Sequence, residues 1–94
     1  MTSVKVKYHM GIERLTGGGH ETPSFEGETV GELILHLIDK HPSLKDCFIN
    51  ERGVETAPGI SILVNGREIM WLRGMATPLS EGDEIDLLRF VSGG

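Results

Sequence analysis

Thr29-Val30-Gly31-Glu32-Leu33-Ile34-Leu35-His36-Leu37-Ile38-Asp39-Lys40-His41-Pro42 is the stretch on which the fold turns. Val30, Leu33, Ile34, Leu37 and Ile38 recur at i, i+3, i+4, i+7 and i+8, which lays one apolar stripe along an α-helix. Thr29 and Glu32 have the spacing of a capping box, in which the hydroxyl takes the N3 amide and the carboxylate reaches back toward the start of the helix. Pro42 disfavours helical geometry at His41 and ends the element. A single amphipathic helix needs a second apolar surface to cover its stripe, and the flanking sequence supplies one in the form of strands.

On the N-terminal side, Val4, Val6, Tyr8 and Met10 alternate with Lys5, Lys7 and His9, the pattern of a half-buried strand. Gly11 permits a turn into a second strand around Ile12–Leu15, and residues 16–20, with three consecutive glycines, read as a loose hairpin tip. On the C-terminal side, Ser43 is placed to cap a short turn through Leu44–Phe48, and Asn50–Gly59 reads as an irregular loop. Ile60–Val64 is a short apolar run, Asn65-Gly66 supplies the two positive φ angles of a type I′ turn, and Arg67–Ile69 returns as the partner strand. Trp71–Thr77 reads as irregular, Glu81-Gly82-Asp83 as a turn, and Glu84–Phe90 as a last strand. The order β-β-α-β-β-β implies an α+β fold with one helix packed across one sheet, and no internal repeat is present.

Ninety-four residues suffice for one core and not two. No apolar stretch approaches the ~20 residues of a membrane span, so a soluble protein is expected. The chain carries 9 basic and 14 acidic residues, a formal net charge of −5, and such a field repels phosphate polyanions. Neither nucleic acid nor membrane is an expected partner. The lone Cys47 can close no internal disulfide and supplies no Cys-x-x-Cys site, so a cytoplasmic, reducing location is expected. Residues 1–15 mix charged with apolar residues and contain no uninterrupted apolar segment of a secretory signal, so the mature chain is expected to begin at or near Met1.

Catalytic constellations fail one by one. Gly17-Gly18-Gly19 is followed by His20-Glu21 and lacks the Lys and Ser/Thr of a phosphate-binding loop. His36 and His41 are five apart, whereas two imidazoles on a helix converge on a metal at a spacing of four, so both read as surface residues and no metal or bound cofactor is expected. Cys47 beside Phe48 and Ile49 reads as a small buried apolar residue, with an exposed, sulfur-carrying thiolate as the alternative. Trp71, between Met70 and Leu72, reads as core or core-edge packing, with a partner contact as the lesser reading.

What remains is the end, Val91-Ser92-Gly93-Gly94. Glycine has no Cβ, so such a tail can enter a narrow channel and present its carboxylate without steric shielding. Extended, it reaches ~13 Å, about the radius of a domain of this size, and would carry the carboxylate into another protein's active site. The plainer reading of a bare Gly-Gly end is a frayed terminus.

Ile62-Leu63-Val64-Asn65-Gly66-Arg67, Thr77-Pro78-Leu79-Ser80-Glu81-Gly82-Asp83-Glu84-Ile85 and Val91-Ser92-Gly93-Gly94 resemble, in order and spacing, the MoaD/ThiS family of sulfur-carrier proteins. The capped helix and the opening strand also fall where that family has them. The resemblance implies a ubiquitin-like β-grasp over residues 1–94, a single domain with one mixed sheet, one main helix and a flexible Gly-Gly tail at 91–94. It further implies a carrier and not an enzyme, possessing no bound cofactor. A partner activating enzyme would use ATP to adenylate the Gly94 carboxylate, and sulfur from a persulfide donor would replace AMP to leave a thiocarboxylate. A synthase subunit would then accept that sulfur, with molybdopterin or tungstopterin biosynthesis favoured. Gly93 would keep the channel clear, while Ser92 and Val91 would set the tail's exit. Molybdopterin-synthase small subunits often carry paired prolines where this chain has Arg89-Phe90. That departure keeps thiamine, cysteine and tRNA-thiolation pathways open, alongside a ubiquitin-like modifier joined to lysines through Gly94 and a plain β-grasp interaction module.

Alternation along the last strand adds one more expectation. Ile85 and Leu87 share the core face, which turns Asp86, Leu88 and Phe90 outward. Leu88 and Phe90 would therefore be an apolar anchor for the activating enzyme beside the tail, unless a loop such as Asn50–Gly59 or the Trp71 segment covers them.

Overall fold

The computed structural model describes residues 1–90. In chain order its strands are β1 (Thr2–Ser3), β2 (Lys5–His9), β3 (His20–Glu21), β4 (Ser24–Phe25), β5 (Ile49–Asn50), β6 (Gly53–Val54), β7 (Ile60–Val64), β8 (Arg67–Glu68) and β9 (Glu84–Arg89). The α-helices are α1 (Glu13–Thr16), α2 (Val30–Lys40) and α3 (Lys45–Phe48). Five strands form one sheet in the order β3-β2-β9-β7-β8, in which β2 and β9 run parallel and the other pairs antiparallel. Last in sequence among the strands, β9 is central in space.

Helix α2 forms as its sequence requires. Thr29 is the N-cap, with extended backbone and a hydroxyl that accepts from the Glu32 amide at 3.3 Å. The Glu32 carboxylate reaches back to accept from the Glu28 amide at 3.1 Å and from the Thr29 hydroxyl at 3.0 Å. Those bonds, the Glu28 amide first, hold its carboxyl below the usual carboxylate range. Val30, Leu33, Ile34 and Leu37 are buried and Ile38 packs at the core margin. Each full burial of such a side chain contributes about 1.5–3 kcal/mol, so the stripe, rather than intrinsic propensity, holds the helix on the sheet. The sheet presents Val6, Tyr8, Ile62, Val64, Ile85 and Leu87 to it, all on the same face by register. Mixed sheet and crossing helix make this a ubiquitin-like β-grasp, the fold class expected from the sequence.

Four local expectations are corrected. Ile12–Leu15 is not a strand: Met10 and Gly11 adopt positive φ, and the chain turns into the single helical turn α1. Ile12 is fully buried, and this tertiary gain overrides a local pattern too short to show a period. The strand that pairs with β2 is β3, on the far side of the glycine loop. Ser43 caps nothing, because it lies inside a 3-10 turn at Pro42–Leu44 that leads into α3. Asn50–Gly59 is not wholly irregular, since β5 and β6 pair within its first half. The type I′ turn holds, with φ of 50° at Asn65 and 84° at Gly66, although β8 ends at Glu68 and Ile69 begins a 3-10 turn.

Candidate functional site at the end of the central strand

Register decides which side chains surround the root of the tail. Leu88 of β9 sits opposite Ser61 of β7 on one flank and His9 of β2 on the other, all on the sheet face away from α2. Ser61 is buried and its hydroxyl bonds the Glu68 carboxylate, whose other oxygen accepts from the Met70 amide at 3.2 Å. On the opposite flank His9 Nε2 lies 2.6 Å from Asp86 Oδ1. Leu88 is half-buried and Phe90 is 56% exposed, so an apolar stripe runs toward the tail between two satisfied polar pairs. The outward placement expected for Asp86, Leu88 and Phe90 is the one observed, and among the described residues no loop covers Phe90, whereas Leu88 is half-buried.

The strand's end is pinned. The Phe90 amide donates to the Gly59 carbonyl at 2.6 Å, and Gly59 has φ of +85°. A Cβ on Gly59 would lie 3.3 Å from the Phe90 carbonyl oxygen, so glycine serves both the left-handed backbone and the close approach. Val91, Ser92, Gly93 and Gly94, the tail residues singled out in the sequence, lie outside the described residues.

Other candidates are dispersed. Cys47 is buried, and its Sγ accepts from Arg89 Nη2 at 3.7 Å. Trp71 is not a core residue: it is 81% exposed and its neighbour Met70 70% exposed. His41 is not a simple surface residue either. Its Nε2 lies 2.7 Å from Glu21 Oε2, which also accepts from the Tyr8 hydroxyl at 2.8 Å, while Lys40 Nζ donates to Glu21 Oε1 at 2.9 Å. Burial alone would raise the Glu21 carboxyl, but the bonds from Lys40, Tyr8 and His41 outweigh it and hold the group below its ordinary range. Burial first, then the bond to Glu21 and its charge, push the Tyr8 phenol upward. This network ties β2 and β3 to the end of α2. Among the described residues no group of three or more His, Cys, Asp or Glu side chains is arranged to hold a metal ion, and no helix is long and apolar enough to cross a membrane.

The His9–Asp86 and Ser61–Glu68 pairs escaped the sequence. Alternation places His9 and Asp86 on outward faces, but only the parallel pairing of β2 with β9, 77 residues apart, brings them together.

The mixed sheet, the crossing helix and the Gly-Gly sequence after the central strand define a small ubiquitin-like protein of the β-grasp class. This chain belongs to the ThiS family, whose sequence model matches residues 6–94. It is 36% identical over 66 residues to small archaeal modifier protein 3 of Haloferax volcanii, covering 70% of each chain. It is 27% identical over 82 residues to the sulfur carrier protein CysO of Mycobacterium bovis, covering 82% of this chain and 84% of the relative. The solution structure of small archaeal modifier protein 1 from Methanosarcina acetivorans superposes with a TM-score of 0.83 at 36% identity, covering 100% of this chain and 98% of that one.

Proposed function

We propose that this protein is a sulfur carrier that acts with partner enzymes through Gly94. A partner activating enzyme uses ATP to adenylate the Gly94 carboxylate. The outer sulfur of a persulfide donor then attacks the acyl adenylate and displaces AMP, a thiol cleaves the resulting acyl disulfide to leave a disulfide on the donor, and the thiocarboxylate so released is delivered to a synthase subunit in biosynthesis of a molybdopterin- or tungstopterin-type cofactor. The observation that carries this reading is the continuity of the ThiS family match from β2 through Gly94. Adenylation turns a poor leaving group into a good one, and the thiocarboxylate is an anionic, soft nucleophile, so sulfur passes between enzymes without diffusing free. No side chain of this chain needs to be catalytic. Leu88 and Phe90 offer the activating enzyme an apolar anchor beside the tail.

Deletion of Gly94, or addition of one residue after it, should abolish ATP–pyrophosphate exchange with the activating enzyme and leave the fold intact. An unchanged exchange rate would overturn the proposal. A second reading, a modifier joined to lysines through the same carboxylate, is favoured by the 36% identity to two small archaeal modifier proteins. Lysine-linked adducts in cell extract would support it, and accumulation of free thiocarboxylate would support the carrier.

A further inference from the structure

Leu35 breaks the pattern of its helix. The apolar stripe of α2 faces the sheet, and the opposite side carries Glu32, Leu35, His36 and Asp39 at i, i+3, i+4 and i+7. Leucine forms helix no better than the lysine, glutamate or glutamine usual on such a side, and Leu35 is 50% exposed, so neither propensity nor burial accounts for it. Nor is it isolated. It shares an open groove of about 500 Å3 with Met1, Phe25, Glu26, Glu32 and His36. Strand β1 pairs with β4 so that Thr2 lies opposite Phe25, which sets Met1, itself 83% exposed, at this end of the fold. Phe25 belongs to the core, and the His36 ring stands 6.2 Å from its ring, centroid to centroid.

The charge around this groove is predominantly negative. Glu26 and Glu32 line it, Glu28 precedes the Thr29 cap, and Asp39 lies one turn beyond Leu35. Hydrogen bonding leaves Glu32 an anion, because the bonds it accepts favour the ionised carboxylate. Among the described residues none of Glu26, Glu28, Glu32 and Asp39 has a cationic nitrogen within salt-bridge distance, and no lysine or arginine lines the groove. The positive groups nearby are the Met1 amine, the His36 ring when protonated, and Lys40, whose ammonium is 2.9 Å from Glu21. The carboxylates outnumber them.

We propose that this groove docks a basic segment of a partner protein that carries an apolar side chain. The apolar side chain would cover Leu35 between Met1 and the Phe25–His36 pair, while flanking lysines or arginines meet Glu26, Glu28, Glu32 and Asp39. A second copy of this chain, with its own net charge of −5, would set carboxylates against carboxylates and is the wrong occupant. Leu88 points from the sheet face away from α2, and Leu35 from the helix face away from the sheet, so the two surfaces lie on opposite sides of the fold. A partner seated on the helix would therefore leave the Leu88 face open to an activating enzyme.

The test is a titration of the full isotope-labelled chain, followed through its amide resonances, with an amphipathic helical peptide of lysine and leucine. Two control peptides replace lysine by glutamate, or leucine by serine. The lysine–leucine peptide should shift Phe25, Glu26, Leu35 and His36 saturably and leave Leu88 unmoved, the glutamate peptide should not bind, and the lysine–serine peptide should bind at least roughly tenfold more weakly. Leu35→Gln should weaken the complex roughly tenfold with an unchanged melt, as should Glu26→Lys with Glu28→Lys, Glu32 being kept because it caps α2. Added salt should weaken binding to the unaltered protein, independently of how any variant folds. No saturable shift up to millimolar peptide, equal binding of the lysine–leucine and glutamate–leucine peptides, wild-type affinity in Leu35→Gln, or shifts centred on Leu88 would overturn the proposal. So would a concentration-dependent shift of Leu35 without peptide, the sign of a second copy in the groove. The titration uses neither ATP nor an activating enzyme, so its outcome is separate from that of the Gly94 chemistry.

Discussion

The Phe90 amide donates to the Gly59 carbonyl at 2.6 Å, and this bond fixes where the central strand ends. Because Gly59 holds a left-handed backbone and meets the Phe90 carbonyl oxygen across a gap a Cβ would nearly close, the end of the strand is held by backbone at both residues. Gly59→Ala should therefore destabilise the protein by about 1–2 kcal/mol, a loss of roughly 5–10 °C in melting temperature. A melt equal to wild type would show that the backbone at Gly59 relaxes without cost.

Phe90→Asp should weaken binding to the activating enzyme by about 2 kcal/mol if this side chain is an anchor, with little change in the melt, because it is more than half exposed. Leu88→Asp should weaken binding as well and also lower stability, because Leu88 is half-buried between Ser61 and His9. Titration of each variant against the enzyme decides the matter, and wild-type affinity in both would remove this face from the interface.

Glu21 is held ionised by Lys40, Tyr8 and His41, so its folded pKa lies below that of the unfolded chain. Its contribution to stability is complete above the ordinary carboxylate pKa of about 4.3 and is lost as pH falls through the lowered folded value. Glu21→Gln should melt below wild type at neutral pH, and the gap should narrow on acidification below about pH 4. Parallel melting curves across that range would contradict the assignment.

Cys47→Ala should leave sulfur transfer from Gly94 intact and cost about 1–2 kcal/mol, since a small buried side chain is replaced by a smaller one. A folded variant unable to receive or donate sulfur would make Cys47 a relay.

The parts of this fold that read directly from sequence are those decided locally. The stripe from Val30 to Ile38, the Thr29 cap, the Asn65-Gly66 turn and the alternation of Ile85 and Leu87 against Leu88 and Phe90 each carry their period or turn chemistry within a few residues. What escaped is decided by contacts distant in sequence. Ile12 enters a helical turn because the core takes its side chain, and β2 pairs with β3 across a loop whose length no local pattern sets. Trp71, flanked by Met70 and Leu72, has the neighbours of a core residue, yet the 3-10 turn that buries Ile69 directs the indole to solvent. The outward placement of Leu88 and Phe90 was legible, but the flanking pairs at His9–Asp86 and Ser61–Glu68 were not, because they depend on strand order.

The central claim is that Gly94 carries the sulfur, and the mass of the intact protein tests it most directly. After incubation with its activating enzyme, ATP, a persulfide sulfur source and a thiol reductant, the protein should gain the mass of one sulfur-for-oxygen exchange, located by fragmentation at Gly94. The same treatment of the chain lacking Gly94 should leave its mass unchanged. An unaltered mass in the full chain despite measurable AMP formation, or sulfur located at Cys47 instead, would contradict the account.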